Sequence, residues 1–155
     1  MLGKVVINTS NPLRRGETFN ELVSSSATWN LVHGSSKELW NAGKAMAQAL
    51  SQAKVVKAFN ILWENYIVDP TMMGDGQHTI FVSGDDNGAK QVVANIICRM
   101  GFLSVDTGGI ARSRNLEIML DLWIKMFDGK TLFGFNFASP TPANNNICCE
   151  DTLST

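Results

Sequence analysis

The hydrophobic pattern of this chain alternates short apolar runs with longer segments in which apolar residues recur every three or four positions. Four runs have the length and composition of buried strands. They fall at residues 4–7, 54–58, 79–83 and 103–105. Helical spacing covers residues 35–52, 86–100 and 116–127. Strands that alternate with helices predict an α/β fold with a mostly parallel sheet.

The helix boundaries follow from capping signals. Ser35 and Glu38 match a capping box, which predicts a helix start at Ser35. Asp85 or Asp86 is expected to cap the second helix, and Gly101 to end it in a left-handed conformation. The predicted buried faces are Leu39, Ala42, Met46, Ala49 and Leu50; Ala89, Val92, Val93, Ile96 and Met100; and Leu116, Met119, Leu120, Trp123 and Phe127.

Composition narrows the class of protein. A chain of 155 residues with 45% hydrophobic and 17% charged residues predicts one folded domain. A net charge of −1 without a basic cluster argues against nucleic-acid binding, and no apolar run is long enough to cross a membrane. The three cysteines and two isolated histidines predict neither a disulfide framework nor a metal site. We therefore expect a cytoplasmic setting.

The first two strands end in amide-rich segments, Asn8 with Asn11, and Asn60. Because α/β sheets bind ligands at the carboxyl ends of their strands, these exits are candidate ligand contacts. The same residues are also typical of an ordinary polar loop that binds no ligand. Gly108 and Gly109 after the fourth strand are either a close backbone approach to a ligand or a tight turn. No pattern of a catalytic nucleophile or of an acid–base pair is found, and Asp85-Asp86 is interpreted as a helix cap.

The glycine fingerprint of a dinucleotide domain, G-x-G-x-x-G after a first strand, has no counterpart in this sequence. We therefore expect residues 1–130 to form a partial Rossmann-like domain that lacks the glycine-rich phosphate-binding half, followed by an irregular tail at 131–155. Apolar residues in the loop 61–78 either cap the core or form the wall of a flat aromatic ligand site. They are Trp63, Tyr66, Met72 and Met73.

Five short segments, in this order and approximate spacing, resemble the deazaflavin-coenzyme-dependent NADP reductase family of Rossmann-like oxidoreductases. They are GKVVI with NP at 3–7 and 11–12, VVKAFN at 55–60, FVSGDD with AK at 81–86 and 89–90, GF with DTG at 101–102 and 106–108, and Ala111, Arg114 and LE at 116–117. The resemblance covers only the carboxyl-terminal part of that family's domain. Gly109 and Ile118 stand where the family usually has proline.

The resemblance implies direct hydride transfer between NADP and a deazaflavin or flavin-like partner, without a catalytic acid or base. It implies that Asn11, Pro12, Ala58, Phe59 and Asn60 lie at the edge of the cofactor. It places Gly108, Gly109 and Ile110 on the substrate side. Since the phosphate-binding half is not found, we expect weak NADP binding and little or no activity from the isolated chain.

Two functions therefore remain open at the level of sequence. The chain is either an oxidoreductase-family domain that keeps the nicotinamide side of an NADP site, or a non-catalytic binding or assembly module on a degenerate Rossmann core. A third interpretation makes it one piece of a longer polypeptide. A partial sheet exposes the edge of strand 4–7 or of strand 54–58, which predicts a homodimer or a partner chain over that edge.

Overall fold

A computed structural model describes residues 2–11, 41–72 and 78–126 of the chain. These residues form a four-stranded sheet flanked by helices, in which the strands follow one another in sequence order. The strands are β1 Val5–Asn8, β2 Lys54–Lys57, β3 Thr79–Gly84 and β4 Leu103–Asp106. The predicted α/β class with a mostly parallel sheet is confirmed, and each strand lies within one residue of its predicted ends.

The direction of the strands changes once across the sheet. β1 runs parallel to β2, with Val5 beside Lys54, and β3 runs parallel to β4. Between these pairs β2 and β3 are antiparallel, with Val56 opposite Gly84 and Lys57 opposite Ser83. Because β2 and β3 pair through their last two residues, the carboxyl ends of all four strands lie at about the same level of the sheet, although the two pairs of strands run in opposite directions.

The helices lie between and after the strands. They are α1 Ala42–Ala49, α2 Glu64–Val68, α3 Asn87–Arg99 and α4 Ser113–Met126, and single 3-10 turns are formed by Pro70–Met72 and Ile110–Arg112. Successive residues of a strand point to opposite faces of the sheet. Val56 joins the hydrophobic cluster with α3, whereas its neighbour Lys57 contacts α4 on the other face.

The hydrophobic core lies between the sheet and α3, with Val82, Val93 and Ile97 fully buried. The prediction that Val92 and Ile96 also face the core is wrong, since they are 49% and 41% exposed. Residues 89, 93 and 97, which are spaced four apart, face the sheet, and the residues one position before each of them point toward solvent.

The first helix starts later than predicted. Asn41 has extended backbone angles of φ −145° and ψ 105°, and its side chain accepts a hydrogen bond from the backbone N–H of Lys44 at 2.8 Å. Asn41 is therefore the N-cap of α1, and the predicted start at Ser35 is wrong for this helix. Ala49, predicted to be buried, is exposed. Residues 35–40 lie outside the described residues.

The caps of α3 agree with the sequence. Asp86 accepts a hydrogen bond from the backbone N–H of Ala89 at 2.8 Å and pairs with Lys54 at 2.8 Å. Gly101, with φ 91°, ends the helix in the left-handed region. These contacts hold the pKa of Asp86 below its usual value, chiefly through the hydrogen bond from Lys54 and then through that from Ala89.

The last helix begins at Ser113, three residues before its predicted start, because the Ile110–Arg112 turn leads directly into it. Leu116 is buried as predicted, and Met119, Leu120 and Trp123 are half-buried. Phe127, the last residue of the predicted face, lies outside the described residues.

Cys98 is disulfide-bonded. A single bond is not the disulfide framework that the cysteine pattern argued against, and the cytoplasmic setting, which rested partly on that pattern, stays a prediction. Cys148 and Cys149 lie outside the described residues, as do the predicted tail and its boundary. Among the helices of the described ranges, none is long and apolar enough to span a membrane.

Candidate functional site

The exits of β1 and β2 lie against each other. The backbone N–H of Ala58 donates to the Asn8 carbonyl at 3.1 Å. The Asn11 side chain donates to the Asn60 carbonyl at 2.8 Å, and the Asn60 side chain donates to Asn11 Oδ1 at 2.9 Å. Two of the predicted cofactor-edge residues, Asn11 and Asn60, are therefore brought into direct contact.

Asn60 also ties this exit to α4. Its Nδ2 donates to the Leu116 carbonyl at 2.9 Å, and the residue is only 6% exposed. An amide with both N–H groups engaged in this way holds backbone segments together rather than offering donors to a ligand. Asn60 therefore shapes the edge without itself being an accessible contact.

Phe59 has φ 62°, a left-handed conformation that is uncommon for a side chain of this size. It is half-buried and packs partly against the core, while Ala58 before it is fully buried. Of the predicted cofactor-edge residues, Asn11 and Phe59 are thus partly accessible. Pro12 lies outside the described residues.

A buried ion pair lies directly beneath this edge. Lys57 Nζ is 2.9 Å from Glu117 Oε1, and the two side chains are 0% and 1% exposed. Lys57 Nζ also donates to Asn8 Oδ1 at 3.1 Å and to the Ser10 carbonyl. Burial lowers the pKa of Lys57 from its usual value, while the hydrogen bond and the charge of Glu117 act in the opposite direction.

The carboxylate of Glu117 also caps α1. Its Oε2 accepts from the backbone N–H of Ala42 and its Oε1 from that of Gly43, both at 3.3 Å. A negative charge is favourable at this position because the first N–H groups of a helix have no partner within it. From the sequence, Lys57 and Glu117 stood out only as members of the segments that resemble the reductase family. The feature that could have indicated the ion pair is a lysine inside an apolar strand.

α1 and α4 meet at very short range around Gly43. A β-carbon on Gly43 would lie 2.7 Å from Ser113 Cβ and in contact with Ser113 Oγ. Ser113 is itself held, because its hydroxyl lies 2.6 Å from the Ile110 carbonyl and also close to Asn41 Oδ1, and its single hydrogen can donate to either oxygen. The Asn41 side chain donates to the Ala111 carbonyl at 2.9 Å. The absence of a side chain at Gly43 lets the two helices approach this closely.

The predicted substrate-side residues follow β4 and lie beside the end of β3. The Gly108 carbonyl accepts from the backbone N–H of Gly84 at 3.0 Å, and the N–H of Ile110 donates to Asp85 at 2.9 Å. Gly108 has φ 103°, Gly109 is exposed, and the Ile110 side chain is buried. Gly84 lies opposite Val56, one residue before the end of β2, so this turn and the exit of β2 follow strand ends that are paired with each other.

Asp106 stabilises that turn. It accepts from the backbone N–H of Gly108 at 2.7 Å and pairs with Lys90 at 2.6 Å. Within the described ranges no group of three or more potential metal ligands occurs. Trp63 and Tyr66 form an edge-to-face pair with ring centroids 6.3 Å apart, whereas Met73 lies outside the described residues.

Comparison with known proteins gives structural relatives alone. No protein-family model matches the sequence, and no curated protein matches it. A candidate F420-dependent NADP-reductase from Arthrobacter sp. FB24 is 27% identical, with a TM-score of 0.69. The match covers 90% of this chain and 59% of that one. The predicted resemblance is confirmed: this chain has the fold of an NADP-reductase-like oxidoreductase.

A hypothetical protein from Sinorhizobium meliloti is 23% identical, with a TM-score of 0.57, and the match covers 89% of this chain and 57% of that one. At this identity the likeness shows the fold alone. The chain thus spans somewhat less than three fifths of the length of either structure.

Proposed function

We propose that this chain is an oxidoreductase-family domain that holds the nicotinamide end of NADP at the exits of β1 and β2. The observation that carries the proposal is the direct contact of these two exits through Asn11 and Asn60. In open α/β sheets the crevice at the carboxyl ends of strands is where ligands bind. The likeness to the candidate reductase from Arthrobacter supports NADP as the ligand.

Within this proposal the protein orients the nicotinamide ring and the acceptor, and it contributes no catalytic acid or base. Asn11 and Phe59 are the accessible residues of the edge, and the fully buried Ala58 supports them from below. A flat nicotinamide ring would lie against Phe59, and the reduced cofactor, NADPH, would supply the hydride and leave as NADP. A deazaflavin or flavin-like molecule is the proposed acceptor, with Gly108, Gly109 and Ile110 on its side.

Titration with NADPH tests the proposal, with the fluorescence of the four tryptophans as the signal. We expect weak but saturable quenching, and Phe59→Leu should weaken binding several-fold through loss of ring stacking. Val92→Ala is the matched control, because Val92 is 49% exposed on α3 and is not one of the candidate residues. The absence of any response at millimolar NADPH would remove the proposed function.

A second function, a non-catalytic binding or assembly module, is favoured by one observation. Ala58 and Asn60 are 0% and 6% exposed, so two of the five predicted cofactor-edge residues are not open to a ligand. The two functions are distinguished by measuring the oxidation of NADPH, through the decrease of its absorbance, in the presence of a deazaflavin or flavin acceptor. NADPH binding without acceptor-dependent oxidation would favour the binding module, and turnover would favour the reductase.

We propose further that a second copy of the chain covers the outer edge of β1, to give a homodimer. Within the described residues β1 is paired on one side only, with β2. Unpaired strand edges are templates for pairing with another chain. Light scattering after size exclusion should give about twice the chain mass of 16.9 kDa. A stable monomer at micromolar concentration would overturn this proposal.

A further inference from the structure

We propose that Lys57 and Glu117 are positioning residues, which fix the backbone of the β1 and β2 exits and thereby shape the candidate nicotinamide edge. The importance of that edge for binding rests on the proposed function, but the positioning itself does not. Neither residue can contact a ligand, because their side chains are 0% and 1% exposed. Any effect they have on binding must be transmitted through other residues.

Four separate parts of the chain converge on the pair. Lys57 is on β2, Glu117 is on α4, Asn8 and Ser10 belong to the β1 exit, and Glu117 reaches the first turn of α1. The ammonium group has three N–H donors, and each has an acceptor here: a side-chain amide, a backbone carbonyl and a carboxylate. The pair is therefore fully satisfied although it is buried.

The contacts close into a ring around the exits. Lys57 holds the Ser10 carbonyl, and the next residue, Asn11, exchanges hydrogen bonds with Asn60. Asn60 donates to the Leu116 carbonyl. Leu116 is followed by Glu117, which returns to Lys57. We call this set of six residues, Lys57, Ser10, Asn11, Asn60, Leu116 and Glu117, the exit ring.

The exit ring explains how an unfavourable backbone conformation is maintained. Phe59 lies between two members of the ring, Lys57 and Asn60, and has φ 62°. Left-handed conformations of bulky residues persist only where the surroundings hold both ends of the segment. The ring supplies those constraints, and Phe59 is the partly accessible aromatic residue of the candidate edge.

Stability alone is a poor explanation for the pair. Burying two charges carries a desolvation cost, and replacing both by apolar side chains of similar volume is often neutral or stabilising. An apolar pair cannot, however, donate to the Ser10 carbonyl or to Asn8, so it cannot fix the direction of the exit. The distinctive contribution of the ion pair is therefore positional.

The test uses the double variant Lys57→Met/Glu117→Leu, which removes both charges and leaves neither unpaired. Amide hydrogen exchange is measured at Ala58, whose N–H donates to Asn8, and at Leu62, whose N–H donates to Phe59, with the Thr107 amide on the other half of the sheet as internal reference. We expect exchange at Ala58 and Leu62 to accelerate at least tenfold relative to Thr107. We also expect the NADPH dissociation constant to rise about tenfold.

Lys54→Met is the matched control, since Lys54 lies on the same strand and forms an exposed ion pair with Asp86. It should leave the exchange ratio and the NADPH affinity within twofold of wild type. Glu117→Gln, which keeps the shape of the side chain, provides a second measurement of the same exchange ratio if the double variant does not fold.

If the exchange rates of Ala58 and Leu62 in a folded variant change no more than that of Thr107, the positioning role is wrong and the ion pair is merely structural. If wild-type protein binds no NADPH, the proposed function fails, but the exchange ratio still decides the positioning role. If NADPH binds and the folded double variant binds it equally well, the edge does not depend on the ring and the inference fails by itself.

Discussion

Gly43 allows α1 and α4 to pack closely, because its side chain is a single hydrogen atom. An added methyl group would meet the side chain of Ser113, which the hydrogen bond donated by its buried hydroxyl holds in place. We expect Gly43→Ala to lower the free energy of unfolding by about 1–3 kcal/mol through overpacking. Chemical denaturation measures this change.

Gly88→Ala is the control for that substitution, because Gly88 is an exposed glycine inside α3. There a methyl group reduces the entropy of the unfolded chain and should leave stability unchanged or raise it by about 0.5–1 kcal/mol. Equal destabilisation by both substitutions would show that helix propensity, and not the contact with Ser113, determines the effect.

Ser83 and Ser104 are fully buried, and within the described part of the chain their hydroxyl groups have no hydrogen-bond partner. Removing an unsatisfied buried hydroxyl removes its desolvation cost. We expect Ser83→Ala and Ser104→Ala to be neutral or to raise the melting temperature. Ser113→Ala, which removes a buried hydroxyl that donates to Ile110 or to Asn41, should instead cost roughly 1–3 kcal/mol. Destabilisation by Ser83→Ala similar to that by Ser113→Ala would contradict this assignment.

Asp86 gives stability a defined dependence on pH. Its pKa in the folded protein is lowered by the hydrogen bonds from Lys54 and Ala89, so the folded state binds this proton less tightly than the unfolded chain does. The contribution is fully present above the unfolded value of about 3.8 and is lost as pH falls through the lower folded value.

Asp86→Asn keeps an N-cap and removes the charge. The difference in melting temperature between wild type and Asp86→Asn should therefore shrink as pH falls below about 3.8. A difference that is constant from pH 7 to pH 2 would mean that the charge of Asp86 contributes nothing to the folded state.

At the scale of elements, α3 provides a direct test of which face is buried. Ile97 is fully buried and its neighbour Ile96 is 41% exposed, although hydrophobic spacing alone assigned Ile96 to the core. Ile97→Ala should cost about 2–5 kcal/mol, because it leaves a cavity under the sheet. Ile96→Ala should cost less than about 1 kcal/mol, since its side chain loses little burial on truncation. Similar losses from both would contradict the observed rotation of the helix.

The strands were predictable because apolar runs bounded by turn residues have few alternatives. The caps Asp86 and Gly101 were predictable because their roles depend on immediate neighbours in sequence. The start of α1 was not, since Ser35 and Glu38 match a local pattern, whereas Asn41 is fixed by contacts with Ala111 and Ser113 about seventy residues away.

At the scale of the whole molecule, sequence indicated the class of fold but could not give the direction of β3. Hydrophobic runs have the same appearance in parallel and antiparallel strands, so the antiparallel pairing of β2 with β3 had no signal in the pattern. The Lys57–Glu117 contact joins residues sixty positions apart, and no local rule relates them. The sequence therefore predicted that Asn11 and Asn60 belong to the candidate edge, but it did not predict the buried ion pair beneath that edge.

The meeting of the four strand ends at one level of the sheet gives ligand binding a spectroscopic signature. In a nitrogen-labelled sample, the amide signals of Asn11 and Phe59 report on the exits of β1 and β2, and those of Gly108 and Gly109 report on the turn after β4. A small nicotinamide fragment should perturb the first set. A flavin-like fragment added next should perturb the second set, so the two ligands could be located separately before any crystal is grown.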